Sequence, residues 1–329
     1  MTAVPPVPNE AEITRIEIGN GPVRVRLMTL GAAITELRMD GVDHSLILGS
    51  PQIAPYGDTM RYFGAIVGPV ANRIAGASAP LGDERLSLAA NEDRNALHGG
   101  PAGTSTRNWT LAEQSDTHAR LTLAWDDGDS GYPGPLHLAV TYTALPDGAL
   151  RIDLEGTSEA ETLCNPAFHG YWTLDGSGAL GGHRMLIHAQ SYLPVDAEKI
   201  PLGDPAPVTD TAFDFRTPRP IRPDSALDHN FCLDGTGMRH VLRLESEALA
   251  LDLETDAAGL QVYDGARMAT APINGHEGHP YGAYAGIALE PQSWPDAPNQ
   301  PGYPDIILRP GETLSLIHIS EPTRRTPLS

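Results

Sequence analysis

The chain has 329 residues with 42 acidic residues against 22 Lys and Arg, which gives a formal net charge of -20. This charge argues against a nucleic acid partner, because binding to a phosphate backbone depends on clustered Lys and Arg. The sequence has no apolar run long enough to span a membrane, and residues 1–10 lack the pattern of a signal peptide. We therefore expect a cytoplasmic protein with no membrane partner. Cys164 and Cys232 have neither disulfide nor metal-ligand spacing, so no metal is expected.

Short segments with alternating apolar and polar residues recur along the whole chain and predict half-buried strands. Turn signals such as Asp-Gly separate them, and the 34 Gly and 30 Pro are spread evenly. We find no amphipathic helix of three turns and no Pro- or Ser-rich linker. The predicted fold class is all-β, a single large antiparallel β-sandwich. The clearest predicted strands cover residues 23–27, 121–125, 136–142, 150–154 and 249–253.

Two polar residues in the first third of the chain are candidates for ligand binding. Arg73 lies among small and apolar neighbours, where a permanently charged guanidinium must find acceptors. His98 precedes Gly99 and Gly100, which would let the backbone approach a ligand closely. A buried ion pair for Arg73 and a turn histidine for His98 are equally compatible with these patterns.

Further along, His169 stands among Phe168, Tyr171 and Trp172, a composition that suits a sugar ring stacked on aromatic faces. A core histidine is the structural alternative. Asp228 and Gln261 each lie in an apolar strand pattern, where a buried carboxylate or amide needs a partner. A polyhydroxylated ligand could supply these partners.

Residues 284–290 predict a strand that carries Glu290 on the same face as Gly286 and Ala288, with the other face in the core. The two small residues leave room for a ligand beside the carboxylate. Pro291 is expected to end regular pairing. We interpret Glu290 as a catalytic base, although a solvated Glu at a strand end gives the same local pattern.

Seven motifs follow one another in the order seen in aldose 1-epimerases (mutarotases), and the resemblance covers residues 13–314. It implies a galactose mutarotase-like supersandwich and an enzyme that interconverts the α and β anomers of a free aldohexose without a cofactor. By similarity, Glu290 is the catalytic base and His169 the catalytic acid. The residues implied to hold the sugar are Asn72, Arg73, His98, Asp228 and Gln261. The motifs are NRI (72–74), LHGG (97–100), GYPG (131–134), HGYW (169–172), DHNF (228–231), GLQVY (259–263) and LEPQ (289–292).

The acid/base chemistry leads us to expect a carboxylate that is ionised well below neutral pH and an imidazole that titrates near the working pH. The partner is expected to be a monosaccharide, and the protein a monomer or homodimer. Ala167 and Phe168 precede His169 where the family usually has Thr-Asn, and Thr173 stands where Asn is common. These departures leave the sugar preference open.

The end of the chain departs further from the family pattern. We expect one domain over residues 1–314, followed by a foreign or frame-shifted tail over residues 315–329. This tail is locally basic, contains two prolines and lacks aromatic residues, so disorder is expected from about Glu321.

Three alternatives use the same residues differently. A hexose-phosphate 1-epimerase would need a cationic phosphate site, for which one Lys and dispersed Arg offer no candidate cluster. A glycosidase could use Glu290 together with Asp296. A non-catalytic carbohydrate-binding protein could share the fold, because fold does not fix function.

Overall fold

The computed structural model describes residues 9–325, in which short antiparallel strands dominate. Helical structure within this range is limited to eight 3-10 turns of three or four residues. None of them could cross a lipid bilayer. The 3-10 turns are Glu10–Glu12, Ala54–Gly57, Ala75–Ala77, Thr104–Thr106, Asp129–Gly131, Leu180–Gly182, Pro223–Ser225 and Ala297–Asn299. The strands are β1 (Arg15–Asn20), β2 (Val23–Met28), β3 (Ile34–Met39), β4 (Ala65–Val67), β5 (Arg73–Ile74), β6 (Ser78–Leu81), β7 (Glu84–Ser87), β8 (Ala96–Leu97), β9 (Thr110–Gln114), β10 (His118–Trp125), β11 (Leu136–Ala144), β12 (Leu150–Ser158), β13 (Thr162–Leu163), β14 (Ala167–His169), β15 (Tyr171–Trp172), β16 (Arg184–Ile187), β17 (Ser191–Tyr192), β18 (Ala206–Pro207), β19 (Arg219–Pro220), β20 (Asp228–Cys232), β21 (Arg239–Glu245), β22 (Leu249–Thr255), β23 (Gly259–Tyr263), β24 (Ile287–Gln292), β25 (Ile307–Leu308) and β26 (Leu314–Arg324).

Three sheets contain most of the strands. The largest has nine strands in the order β19-β16-β21-β22-β26-β12-β11-β10-β9, and a second has six in the order β15-β24-β23-β20-β17-β18. A three-stranded sheet, β1-β2-β3, begins the fold. Neighbouring strands in these sheets pair antiparallel, for example β11 with β12 and β23 with β24. The predicted all-β antiparallel fold is confirmed.

The largest apolar cluster of the core receives side chains from all three sheets. Val25 from β2, Leu154 from β12 and Leu260 from β23 belong to it, together with the fully buried Trp125. Alternation places one face of each strand in this cluster, as in β12, where Leu150, Ile152 and Leu154 are buried. Each fully buried large apolar side chain contributes about 1.5–3 kcal/mol, so the core holds the sheets in fixed relative positions.

Strand β24 lies inside the six-stranded sheet, between β15 and β23. It begins at Ile287 rather than at Tyr284, because Tyr284 has a φ of +63°, which a strand cannot contain. The expectation that Pro291 ends pairing is wrong, since Pro291 remains paired with Leu260. On its other side β24 pairs with β15 only at Ile287 and Ala288, so the missing N–H of the proline interrupts no ladder there.

The expected disorder from about Glu321 is also wrong as far as Arg324, because β26 runs through this segment between β12 and β22. Its burial alternates with period two, with Leu316, His318 and Ser320 inside. This alternation outweighs the basic composition on which the expectation depended. Residues 326–329 lie outside the described range, and the boundary at residue 314 and the foreign origin of the tail stay predictions.

Candidate active site

A single cleft brings together all seven residues that the sequence singles out for catalysis or sugar binding. They come from separate parts of the chain, on β5, β14, β20, β23 and β24 and on the loop after β8. Antiparallel register aligns part of the set, because Gln261 on β23 lies opposite Glu290 on β24. The residues that line the cleft are Tyr62, Asn72, Arg73, Glu92, Leu97, His98, His169, Tyr171, Asp228, Gln261, Tyr263, Arg267 and Glu290.

Glu290 and His169 face each other at the buried end of the cleft. The Oε1 atom of Glu290 lies 3.5 Å from Nε2 of His169, and the two side chains are only 2% and 5% exposed. Oε2 of Glu290 and Nδ1 of His169 have no hydrogen-bond partner among the described residues. A buried carboxylate and imidazole at this distance can exchange a proton with a bound ligand or with each other.

Burial changes the titration of both groups. It raises the pKa of Glu290 well above its usual range, the charge of Asp228 raises it further, and Arg73 opposes the change. Burial also lowers the pKa of His169 to about 4. We expected a carboxylate that ionises well below neutral pH and an imidazole that titrates near the working pH. Both expectations are wrong, because both groups are desolvated. At pH values between these two pKa values the pair holds one proton in total, on Glu290 or on His169.

His98 is held by the backbone of Asn72. The N–H of Asn72 donates to Nδ1 of His98 at 3.1 Å, and the N–H of His98 donates to the carbonyl of Asn72 at 2.9 Å. Burial, followed by the proximity of His169 and Arg73, lowers the pKa of His98 well below 6.5. A neutral His98 that accepts at Nδ1 carries its proton on Nε2, which makes that nitrogen a donor. The side-chain oxygen of Asn72 accepts from the N–H of Arg73 at 2.9 Å, so its amide nitrogen remains for a ligand.

The glycines after His98 serve the backbone rather than a ligand. Gly99 has a φ of +84°, and a Cβ at this position would collide with the carbonyl oxygen of Gly68. The close approach inferred from the sequence is real, but the partner is another loop of the same chain.

Both sequence-based interpretations of Arg73 apply, since its side chain forms a buried ion pair and also lines the cleft. Its Nε donates to Oε2 of Glu92 at 2.5 Å, and its Nη2 donates to Oε1 at 2.8 Å. Burial alone would lower the pKa of Arg73, but the hydrogen bonds that it donates to Glu92 and the charges of Asp228 and Glu290 raise this pKa. The sequence offers no signal for Glu92, because an acidic residue in a polar turn normally indicates only solvent exposure.

Asp228 accepts a hydrogen bond at Oδ1 from Nε2 of Gln261 at 2.9 Å. Its Oδ2 lies 3.7 Å from Nη2 of Arg267 and 4.0 Å from Nζ of Lys199. The side chains of Arg267 and Lys199, which are far apart in the sequence, thus lie together at the rim of the cleft. Both face the Asp228 carboxylate, which offsets part of their charge.

Asp296, the second carboxylate of the glycosidase alternative, is not among the residues that line the cleft. It is 2% exposed and accepts from the N–H of Ala75 at 2.9 Å and from the side chains of Asn299 and Gln300. These bonds fix the segment beside β5, so Asp296 has a structural role and does not pair with Glu290 in the cleft.

Within residues 9–325, one group of side chains could hold a metal ion, namely His98, His169 and Glu290. Their ligand atoms lie within 4.8 Å of one another. Ligands of a tetrahedral zinc at about 2.0–2.1 Å stand only about 3.4 Å apart, so the group would have to contract. The expectation of no metal stays a prediction.

A buried carboxylate that faces an imidazole in an open cleft of an antiparallel sandwich defines an acid/base enzyme for a polar ligand. Comparisons with known proteins give the family. Residues 14–318 match the family model described as aldose 1-epimerase. The galactose mutarotase of Pongo abelii is 35% identical over 314 residues, 91% of each chain. The aldose 1-epimerase of Escherichia coli K12 is 35% identical over 317 residues, 90% of this chain and 91% of that protein.

Solved structures agree with this result. An aldose epimerase homologue from C. elegans superimposes with a TM-score of 0.90 at 27% identity, covering 95% of this chain and 100% of that one. A galactose 1-epimerase from Lactobacillus acidophilus gives 0.83 at 29% identity, covering 95% of each chain. The chain therefore belongs to the aldose 1-epimerase family. It is an enzyme that interconverts the α and β anomers of aldoses, as the sequence motifs predict.

Proposed function

We propose that the substrate is a free, neutral aldohexose such as galactose, with Glu290 as catalytic base and His169 as catalytic acid. The observation that carries this assignment is the 3.5 Å contact between the two side chains in a cleft lined by sugar-binding residue types. The names of the mutarotase relatives support galactose as a substrate.

The reaction requires the ring to open and close again. Glu290 takes the proton of the C1 hydroxyl while His169 gives a proton to the ring oxygen, the bond between C1 and the ring oxygen breaks, and a free aldehyde forms. The C1–C2 bond then rotates and presents the other face of the aldehyde. In the reverse steps His169 takes a proton from the hydroxyl formed by the former ring oxygen, this oxygen bonds to C1 on its other face, and Glu290 returns its proton to the C1 oxygen. No proton is gained or lost over the cycle.

Burial favours the opening step. The opening step starts from the form of the pair in which Glu290 is charged and His169 is an imidazolium. It ends with both side chains neutral. Desolvation disfavours the charged forms, which is why the pKa of Glu290 is raised and that of His169 is lowered to about 4. Relative to an ordinary histidine, this change makes His169 a stronger acid by about 3 kcal/mol.

The remaining cleft residues orient the sugar. We assign Nη1 of Arg73 and Nε2–H of His98 as donors to sugar oxygens, and the Asp228 carboxylate as an acceptor from a hydroxyl. The amides of Gln261 and Asn72 complete the hydrogen-bonding set, with Gln261 held in place by Asp228. Further contacts come from three aromatic side chains that line the cleft and offer apolar faces to the ring, namely Tyr62, Tyr171 and Tyr263.

We propose that the enzyme works in the cytoplasm as a monomer or homodimer. Cys164 and Cys232 are buried free thiols, which suits a reducing compartment. Size-exclusion chromatography with light scattering would measure the oligomeric state.

The test is the rate of anomer exchange of α-D-galactose and α-D-glucose, followed by NMR or polarimetry, with wild-type protein and with Glu290→Gln. The variant keeps the shape of the side chain and removes the base, so kcat should fall about 10²–10⁴-fold. Glu84→Gln, an exposed residue of β7, is the matched control and should keep wild-type activity. Near-normal exchange by Glu290→Gln would refute the assignment, and release of a new reducing end from a disaccharide would indicate a hydrolase instead.

A further inference from the structure

Glu92 is a lining residue of the cleft to which neither the motifs nor the reaction assigns a role. It lies in the tight turn between β7 and β8, where Glu92 and Asn95 form an isolated bridge. Other side chains hold this turn. The amide of Asn91 exchanges hydrogen bonds with the backbone of Leu97, and Asn95 accepts from the N–H of Gly76. The turn is thus held without the carboxylate of Glu92, so the interactions of this carboxylate are not needed to fix the backbone.

That carboxylate is committed to Arg73. Both of its oxygens accept from one edge of the guanidinium, at Nε and Nη2, in a bidentate pair. The Arg73 side chain is 7% exposed and that of Glu92 is 29% exposed, so the pair stands between the interior and the opening of the cleft. A planar guanidinium held along one edge has its remaining nitrogen, Nη1, fixed in direction.

We infer that Glu92 is a positioning and specificity residue, which aims Nη1 of Arg73 at the sugar and offsets the arginine's charge so that the cleft prefers neutral aldoses over anionic ones. This inference rests on the proposed role of Arg73 in sugar binding. Two other carboxylates of the cleft, those of Asp228 and Glu290, also act on the Arg73 guanidinium and remain when Glu92 is removed. The guanidinium would turn toward them and leave its position beside the sugar.

The same carboxylate affects which sugars can enter. A uronic acid or a sugar phosphate brings a negative charge into a cleft that already contains the carboxylates of Glu92 and Asp228. Removing the Glu92 charge makes the net charge of the cleft less negative, which favours such a substrate. Charges several ångströms apart at a partly exposed site interact by an amount that corresponds to roughly threefold to tenfold in rate.

The experiment compares Glu92→Gln with wild-type protein on α-D-galactose and α-D-galacturonate. Loss of the charged partner of Arg73 should raise KM for galactose by roughly tenfold, about 1.4 kcal/mol, with little change in kcat, because a charged acceptor is replaced by a neutral one. The ratio of kcat/KM for galacturonate to that for galactose should rise roughly threefold to tenfold. Glu198→Gln is the matched control. It removes a carboxylate that bonds Arg94 and Asn95 on the same turn and does not line the cleft, so it should change neither quantity.

A second measurement separates positioning from simple stabilisation of the turn. In an Arg73→Met background the added effect of Glu92→Gln on KM should vanish, because its only target is gone. Unchanged KM and substrate ratio in Glu92→Gln, or an equal effect with and without Arg73, would overturn the inference. If wild-type protein were inactive or Glu290→Gln fully active, the proposed function itself would fail, and these two failures are distinguishable.

Discussion

Asp228→Asn tests how the charges of the cleft control the catalytic pair. The substitution keeps the size of the side chain and an acceptor oxygen for the amide of Gln261, which now donates to Oδ1 at 2.9 Å. It removes the negative charge that lies 3.7 Å from Arg267 and 4.0 Å from Lys199. The change is therefore almost purely electrostatic.

Two effects follow from the geometry. A sugar hydroxyl loses a charged acceptor, which costs about 1.5–3 kcal/mol and raises KM roughly 10- to 150-fold. The second effect concerns Glu290, whose pKa is raised first by burial and next by the charge of Asp228. Without that charge the pKa of Glu290 falls. The active pair must keep its one shared proton, so the upper end of the active pH range moves to lower pH.

The assay is kcat/KM for galactose across a pH series from about 5 to about 9, measured by NMR exchange for wild-type protein and the variant. Asp43→Asn controls for the change in net charge, because Asp43 is fully exposed and remote from the cleft lining. An alkaline limb that stays in place or moves to higher pH in Asp228→Asn would refute this account of the pair, whatever the change in KM.

Two further predictions concern histidines. His169→Gln removes the proposed catalytic acid, and kcat should fall about 10²–10⁴-fold at nearly constant KM; a kcat within a few-fold of wild type would exclude the assigned role. The protein should lose stability as the pH falls from 6.5 toward 4, because buried His169 and His318 have pKa values of about 4 and the unfolded chain takes up these protons first. Each histidine lowers the free energy of unfolding by up to about 3 kcal/mol by pH 4. His318→Leu should remove the part of this pH dependence that is due to His318, as measured by urea unfolding at two pH values. Equal unfolding midpoints at pH 8 and pH 5 would contradict this prediction.

The fold class followed from local pattern. Residues 136–142 and 150–154 alternate cleanly, and they are part of β11 and β12, because alternation reports which face of a strand is buried. The same signal is present in residues 314–324, where composition predicts disorder but Leu316 and His318 alternate into the core. Strand ends were less certain, as Tyr284 and Pro291 show, since backbone dihedrals and pairing partners determine them.

The sequence by itself determined which residue types the chemistry needs and the order in which they occur, including Glu290, His169 and Arg73. It could do so because a proton transfer demands a carboxylate and an imidazole wherever they stand in the chain. Only the tertiary structure decided that Glu290 and His169 meet at 3.5 Å, and that Glu92 holds Arg73. The raised pKa of Glu290 and the lowered pKa of His169 likewise come from the folded protein. Distance and desolvation arise from packing between segments far apart in sequence, and no local pattern contains them.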